Sequence, residues 1–126
     1  MNSLKIDATH ETPKIYLDKE NAIFEMVGNS LPEDVTEFYT PILNWLDQYV
    51  EDPNDETTVT MFFEYYNTSS SKMIFKIMER FREIYRKGLN VKILWHYRED
   101  DEDMVEAGED YEKNLKIPFE FIPVQQ

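Results

Sequence analysis

The most unusual local sequence in the chain is Tyr65-Tyr66-Asn67-Thr68-Ser69-Ser70-Ser71-Lys72. Its four consecutive alcohols support two readings. A Ser or Thr oxygen accepts from a free N–H at a helix start, and one such residue is enough to cap it. An alcohol in the same place can also take a phosphoryl group, which adds about −1.5 to −2 charges and is received by the unpaired N–H groups and the positive end of the helix dipole. Both readings put the string at a helix N-terminus. Lys72, Lys76 and Arg80 follow at steps of four. That row steers an acidic partner or offsets part of a phosphate's charge, or it is a solvated basic face tempered by Glu79 and Glu83.

Other chemistries find less material. The histidines are His10 and His96, far apart in sequence, and His96 lies between Trp95 and Tyr97 in an apolar run that points to packing. Gly28, Gly88 and Gly108 form no phosphate-cradling loop. Glu99-Asp100-Asp101-Glu102-Asp103 lacks the spaced ligands and turn glycine of a calcium loop, so these acids read as complementing the start of a helix. With no cysteine, disulfide frameworks, thiol nucleophiles and cysteine-based metal sites are excluded. Asn67-Thr68-Ser69 fits a glycosylation pattern, but the polar N-terminus does not read as a secretory signal. No catalytic residue, cofactor or metal ligand set is expected.

The elements that must position the string follow from composition and periodicity. The 126 residues carry a formal charge of −13, with 41% hydrophobic and 14% aromatic residues. That is enough apolar surface for one domain over 1–126 and argues against disorder. No run approaches a membrane span, so a cytoplasmic protein without membrane insertion is expected. An acidic chain opposes sequence-independent contact with nucleic acid, leaving proteins or cationic surfaces as partners. Residues 1–71 hold 3 bases and 14 acids, residues 72–98 hold 8 and 2, and residues 99–126 hold 2 and 10. The basic island coincides with the segment that begins at the hydroxyl string.

Lys14–Leu17 and Ala22–Val27, joined by a polar turn, read as a hairpin. Ser30-Leu31-Pro32-Glu33 has capping-box spacing. After it Val35, Phe38, Tyr39, Ile42, Leu46, Tyr49 and Val50 share one helical face, with Trp45 at its edge. Pro41 predicts a bend, or a break in which Thr40 caps a second segment. Thr57–Tyr66 reads as a strand with Val59, Met61, Phe63 and Tyr65 on one side and Thr58, Thr60, Phe62 and Tyr66 on the other, apolar on both and so covered on both. Ser69–Lys87 is helical and stops at Gly88. Val91–Tyr97 is a strand, Asp101–Leu115 an acidic helix and Pro118–Ile122 a last strand. The order β-β-α-β-α-β-α-β predicts an α/β domain with a mixed, mostly parallel sheet and right-handed crossovers. The hydroxyl string then lies at the carboxyl edge of that sheet, where function is commonly placed.

This order, with a hydroxyl at a strand-to-helix junction, resembles the STAS domains of anti-sigma factor antagonists, although Asn67 stands where those proteins often carry Asp-Ser and no glycine follows. A closer resemblance covers nearly the whole chain. Thr12-Pro13-Lys14-Ile15, Phe38-Tyr39-Thr40-Pro41-Ile42-Leu43-Asn44-Trp45-Leu46, Tyr66-Asn67-Thr68-Ser69-Ser70 and Trp95-His96-Tyr97 are similar to the SiaC family of bacterial regulatory phosphoproteins, a STAS-like group. The resemblance implies that Thr68 is the phosphoacceptor, set by a partner protein kinase and a PP2C-type phosphatase. It also implies that the unphosphorylated form binds and activates a diguanylate cyclase, which ties the switch to cyclic-di-GMP and biofilm regulation. On that expectation Tyr65, Tyr66, Asn67, Ser69, Ser70, Lys72 and Lys76 contact the partner. The contrasting expectation is a small-molecule or metal-binding α/β module using the same sheet edge.

Overall fold

A computed structural model describes residues 1–125. The elements are β1 (Leu4–Ile6), β2 (Lys14–Asp18), β3 (Ile23–Ser30), α1 (Val35–Glu51), β4 (Glu56–Tyr66), α2 (Thr68–Arg86), β5 (Asn90–Arg98), α3 (Glu102–Leu115) and β6 (Phe119–Val124). All six strands form one sheet in the order β1-β2-β3-β4-β5-β6. β1, β2 and β3 pair antiparallel, whereas β3 to β6 are parallel neighbours. The expected hairpin and the parallel β-α-β units are both present. The sequence pattern gives no strand before Lys14, yet Leu4 pairs with Leu17 and Ile6 with Ile15 to add β1. Three residues are too short a run for alternation to stand out from a polar terminus.

Parallel strands that follow one another in sequence and in space, joined by right-handed crossovers, keep all their helices on one side of the sheet. The expectation of a doubly covered central strand is therefore corrected. Val59, Met61 and Phe63 of β4 and Val91, Ile93 and Trp95 of β5 are buried in the core, with Tyr39, Ile42, Leu46 and Tyr49 of α1 and Ile74, Ile77, Met78 and Phe81 of α2. Phe62, Leu94 and His96 alternate to the uncovered side and are only half-buried. Ion pairs between neighbouring strands, Lys14–Glu25, Lys92–Glu120 and Arg98–Glu64, lie among them.

One reading of α1 also changes, and of the two expectations for Pro41 the break is overturned. Ser30 ends β3 instead of capping the helix, and Asp34 is the cap, its carboxylate accepting from the Glu37 N–H at 3.0 Å. Pro41 neither ends nor splits the helix, which runs unbroken from Val35 to Glu51. Pro41 is exposed, so the carbonyl deprived of its donor can turn to water. Trp45 is buried, and its indole N–H donates to the Asn2 carbonyl at 2.7 Å.

Candidate functional site

The register of β3 on β4 slips once. Gly28 faces Phe63 and Asn29 faces Tyr65, so Glu64 is the extra residue of a bulge. A bulge reverses the in-and-out alternation beyond it. Tyr65, which the alternation places beside Val59, Met61 and Phe63, instead stands 54% exposed. Tyr66 takes the inner position, its ring edge-to-face with Phe63 at 5.6 Å. Gly28 makes the close packing here possible. Its φ is +133°, and a Cβ in its place would lie 3.3 Å from the Pro13 Cα.

Asn67 then caps α2. Its side-chain oxygen accepts from the Ser70 N–H at 2.9 Å and from the Ser69 hydroxyl at 3.2 Å. Thr68 is the first residue of the helix, one position earlier than the sequence pattern gives, and is exposed. Its hydroxyl has no protein partner among the described residues. An α-helix leaves its first N–H groups without intrahelical acceptors, and Asn67 takes only that of Ser70, so the first turn retains donors for an anion. The alcohol string thus divides. Asn67 does the capping, and Thr68 is left free for other chemistry.

The neighbours separate into outer and inner groups. Ser69, Lys72 and Lys76 are exposed, as is Tyr65 at the end of β4. Neither lysine has an ion-pair partner among the described residues. Arg80 is engaged, its Nε donating to Asp47 at 3.0 Å, so it is not held in reserve for a phosphate. Ser70 departs from the expectation of partner contact: it is fully buried, and a side chain enclosed by α1 and β3 cannot touch a docked protein. The Ser30 hydroxyl donates to Ser70 Oγ at 2.9 Å and also bonds the Tyr39 hydroxyl at 2.5 Å. Burial pushes the Tyr39 phenol up to about 12, against the opposing hydrogen bonds of Ser30 and Ser70.

On the far side, the Tyr111 hydroxyl donates to the Ser71 carbonyl at 3.0 Å and pins the first turn of α2 to α3. Burial raises the pKa of Tyr111, and the neighbouring Tyr66 adds to the shift. Tyr66 is raised as well, by burial first and then by the fields of Asp110 and Asp101. Ser30 and Tyr39 went unrecognised because Ser30 resembles a cap and Tyr39 lies in an apolar stripe. Asp34, a second capping residue four positions after Ser30, was the signal that the serine was free for another role.

The carboxyl edge around Thr68 is acidic on both flanks. Glu64, Asp101 and Asp103 surround Tyr65, Tyr66 and Met104 on one side. Glu33, Asp34 and Glu37 line a groove with Val35 and Phe38 on the other. Among the described residues no group of three His, Cys, Asp or Glu side chains is placed to hold a metal ion, and no helix is long and apolar enough to cross a membrane.

Comparison with known proteins finds the same fold. The chain is similar to SiaC of Pseudomonas aeruginosa in its apo crystal structure, at 28% identity and a TM-score of 0.87 over 97% of this chain and 99% of that one. It also matches a chain in the crystal structure of the diguanylate cyclase SiaD in complex with its activator SiaC from the same organism. There the identity is 27% and the TM-score 0.90, over 96% of this chain and 99% of that one. An uncharacterized protein of Pseudomonas aeruginosa strain UCBPP-PA14 is 29% identical over 119 residues, 94% of each chain. The model of the SiaC family regulatory phosphoproteins matches residues 6–124. With that match spanning all three helices and all but the first two residues of the sheet, the chain belongs to the SiaC family of regulatory phosphoproteins.

Proposed function

We propose that this chain is a binding switch with no catalysis of its own. A partner protein kinase esterifies the Thr68 hydroxyl, a PP2C-type phosphatase removes the group, and the unphosphorylated form binds and activates a diguanylate cyclase. The single observation that carries the reading is the Thr68 hydroxyl, exposed on the first turn of α2, without a protein partner among the described residues and three positions after the exposed Tyr65. Membership of a regulatory phosphoprotein family supports a modification site, and the complex between a relative and the cyclase it activates supports the partner.

The switching physics follows from position. A partner that covers Tyr65 and the start of α2 also covers Thr68. A dianion beneath it must be stripped of water, and Asp101 and Asp103 add negative charge along the same edge. Each 1.4 kcal/mol of that cost weakens binding about tenfold.

The test compares unmodified protein with a sample phosphorylated to completion at Thr68, verified by intact mass, in titrations against the cyclase. Affinity should fall at least tenfold on phosphorylation, and Thr68→Ala should bind like the unmodified chain while ignoring the kinase. Equal affinities for the two forms would overturn the mechanism.

A further inference from the structure

The outer side of α1 carries a surface groove of about 900 Å³, lined by Ile6 of β1, Pro32 of the preceding loop and Val35, Phe38 and Pro41 of the helix. Val35 and Phe38 belong to the apolar stripe of α1, yet both remain half-buried at its edge. The groove is therefore an apolar strip built from three separate elements, and its polar border is acidic, with Glu33, Asp34 and Glu37.

That charge goes unanswered among the described residues. Residues 1–71 contain three bases, Lys5, Lys14 and Lys19. Lys5 lies over the Tyr16 ring at 4.5 Å, Lys14 pairs with Glu25 at 3.4 Å and Lys19 with Asp52 at 3.0 Å. Glu33 and Glu37 are exposed and have no ion-pair partner among the described residues. An apolar strip between uncompensated carboxylates is complementary to a segment that carries apolar side chains one helical turn apart and cations on either side of them. Nucleic acid and anionic lipid have the wrong sign.

The groove is also joined to the switch. Ser30, the last residue of β3 before the loop leading to it, accepts the Asn67 N–H on its backbone oxygen at 3.1 Å, and Tyr39, next to Phe38, reaches the Ser30 hydroxyl. A partner seated in the groove lies along the edge that carries Thr68.

We propose that the groove is the docking site for a lysine- or arginine-rich amphipathic segment of the cyclase, with its apolar side chains on Val35 and Phe38 and its cations on Glu33 and Glu37. The partner rests on the functional reading above, whereas the site and its chemistry rest on the groove.

The experiment titrates the unphosphorylated full chain against the full-length cyclase at low and at moderate salt. Four proteins are compared: wild type, Glu33→Lys/Glu37→Lys, Phe38→Ala, and Glu106→Lys/Glu109→Lys. The last makes the same change in net charge on exposed α3 positions. Urea midpoints establish that each variant folds. The groove charge reversal should weaken binding at least tenfold and flatten its salt dependence, Phe38→Ala should weaken it without altering the salt dependence, and the α3 reversal should leave affinity within twofold. Equal affinities for the two charge reversals would overturn the groove while leaving the Thr68 switch intact. Failure of the unmodified wild type to bind the cyclase would overturn both.

Discussion

The Ser30 hydroxyl donates to Ser70 Oγ at 2.9 Å, joining the end of β3 to the first turn of α2 beneath the surface that carries Thr68. Both residues are fully buried, and a buried hydroxyl without a partner is destabilising. The Tyr39 hydroxyl completes the set from α1. Thr68 therefore stands on a turn held from below by three satisfied alcohols and from the side by Tyr111.

Tyr39→Phe removes one member of that set and leaves Ser30 bonded to Ser70, so the loss should be about 1 kcal/mol. It should appear as a lower urea midpoint with an unchanged slope. The same substitution alters the alkaline limb of stability. Tyr39, Tyr66 and Tyr111 all have folded pKa values raised above the unfolded value near 10, Tyr39 to about 12. The folded state then holds protons that the unfolded chain has released, so stability is intact below pH 10 and falls as the pH rises through 12. Unfolding titrations from pH 9 to 12 should show a shallower fall for Tyr39→Phe than for wild type. Parallel curves would remove Tyr39 from the account.

Asn67→Ala takes away the α2 cap and strands the Ser70 N–H, which should cost about 1 kcal/mol of stability. It should also slow phosphorylation of Thr68, because the first turn that presents the hydroxyl frays. Asn67→Asp retains the acceptor oxygen and should restore both properties. Rescue of stability without rescue of phosphorylation would assign Asn67 to kinase recognition instead of to holding the turn.

Gly108 lets α3 approach β5 and β6. A Cβ there would lie 2.5 Å from Trp95 Nε1 and 2.7 Å from Phe121 Cε2. Trp95 is not free to yield, since its indole N–H donates to the Met104 carbonyl at 2.9 Å within the core. Helix propensity alone favours Gly108→Ala by roughly 1 kcal/mol. Overpacking costs about 1–3 kcal/mol, so the net effect should be destabilising and visible as a lower thermal midpoint. A stabilised variant would mean that α3 can lift from the sheet at little cost.

How far the fold can be read from the residues depends on the length scale of the signal. The alternation of Val59, Met61 and Phe63 and the helical stripe of Ile74, Ile77, Met78 and Phe81 repeat over several periods, and they give the elements and their order. Which faces are covered does not follow from them. Phe62 and Leu94 are apolar for their place in the middle of a sheet, not because a layer lies over them, and only the spatial order of strands decides that. Short-range choices are the hardest. Ser30 and Asp34 both look like caps, and the choice between them depends on whether β3 continues to Ser30, where its pairing with Tyr66 keeps it. The bulge at Glu64 leaves no trace in composition. The hydroxyl string was conspicuous in the sequence, but its division into a capped inner residue, Ser70, and a free outer one, Thr68, required the tertiary contacts.

That bulge gives two adjacent tyrosines opposite roles, which leads to a paired prediction. Tyr65 is 54% exposed and makes no ring contact with the core, so Tyr65→Ala should change stability by less than about 0.5 kcal/mol. Tyr66 packs edge-to-face on Phe63 at 5.6 Å and is half-buried, so Tyr66→Ala should cost about 2–3 kcal/mol. In cyclase binding the order should invert. An exposed aromatic three positions before Thr68 has the character of an interface anchor, for which truncation costs about 2 kcal/mol, a thirtyfold loss of affinity. Tyr66→Ala, once corrected for its unfolded fraction, should bind within about threefold of wild type. Had β4 kept its alternation to the end, Tyr65 would be the core residue and both measurements would exchange, so urea midpoints and cyclase titrations on the two variants test the register of the strand and the location of the docking surface together.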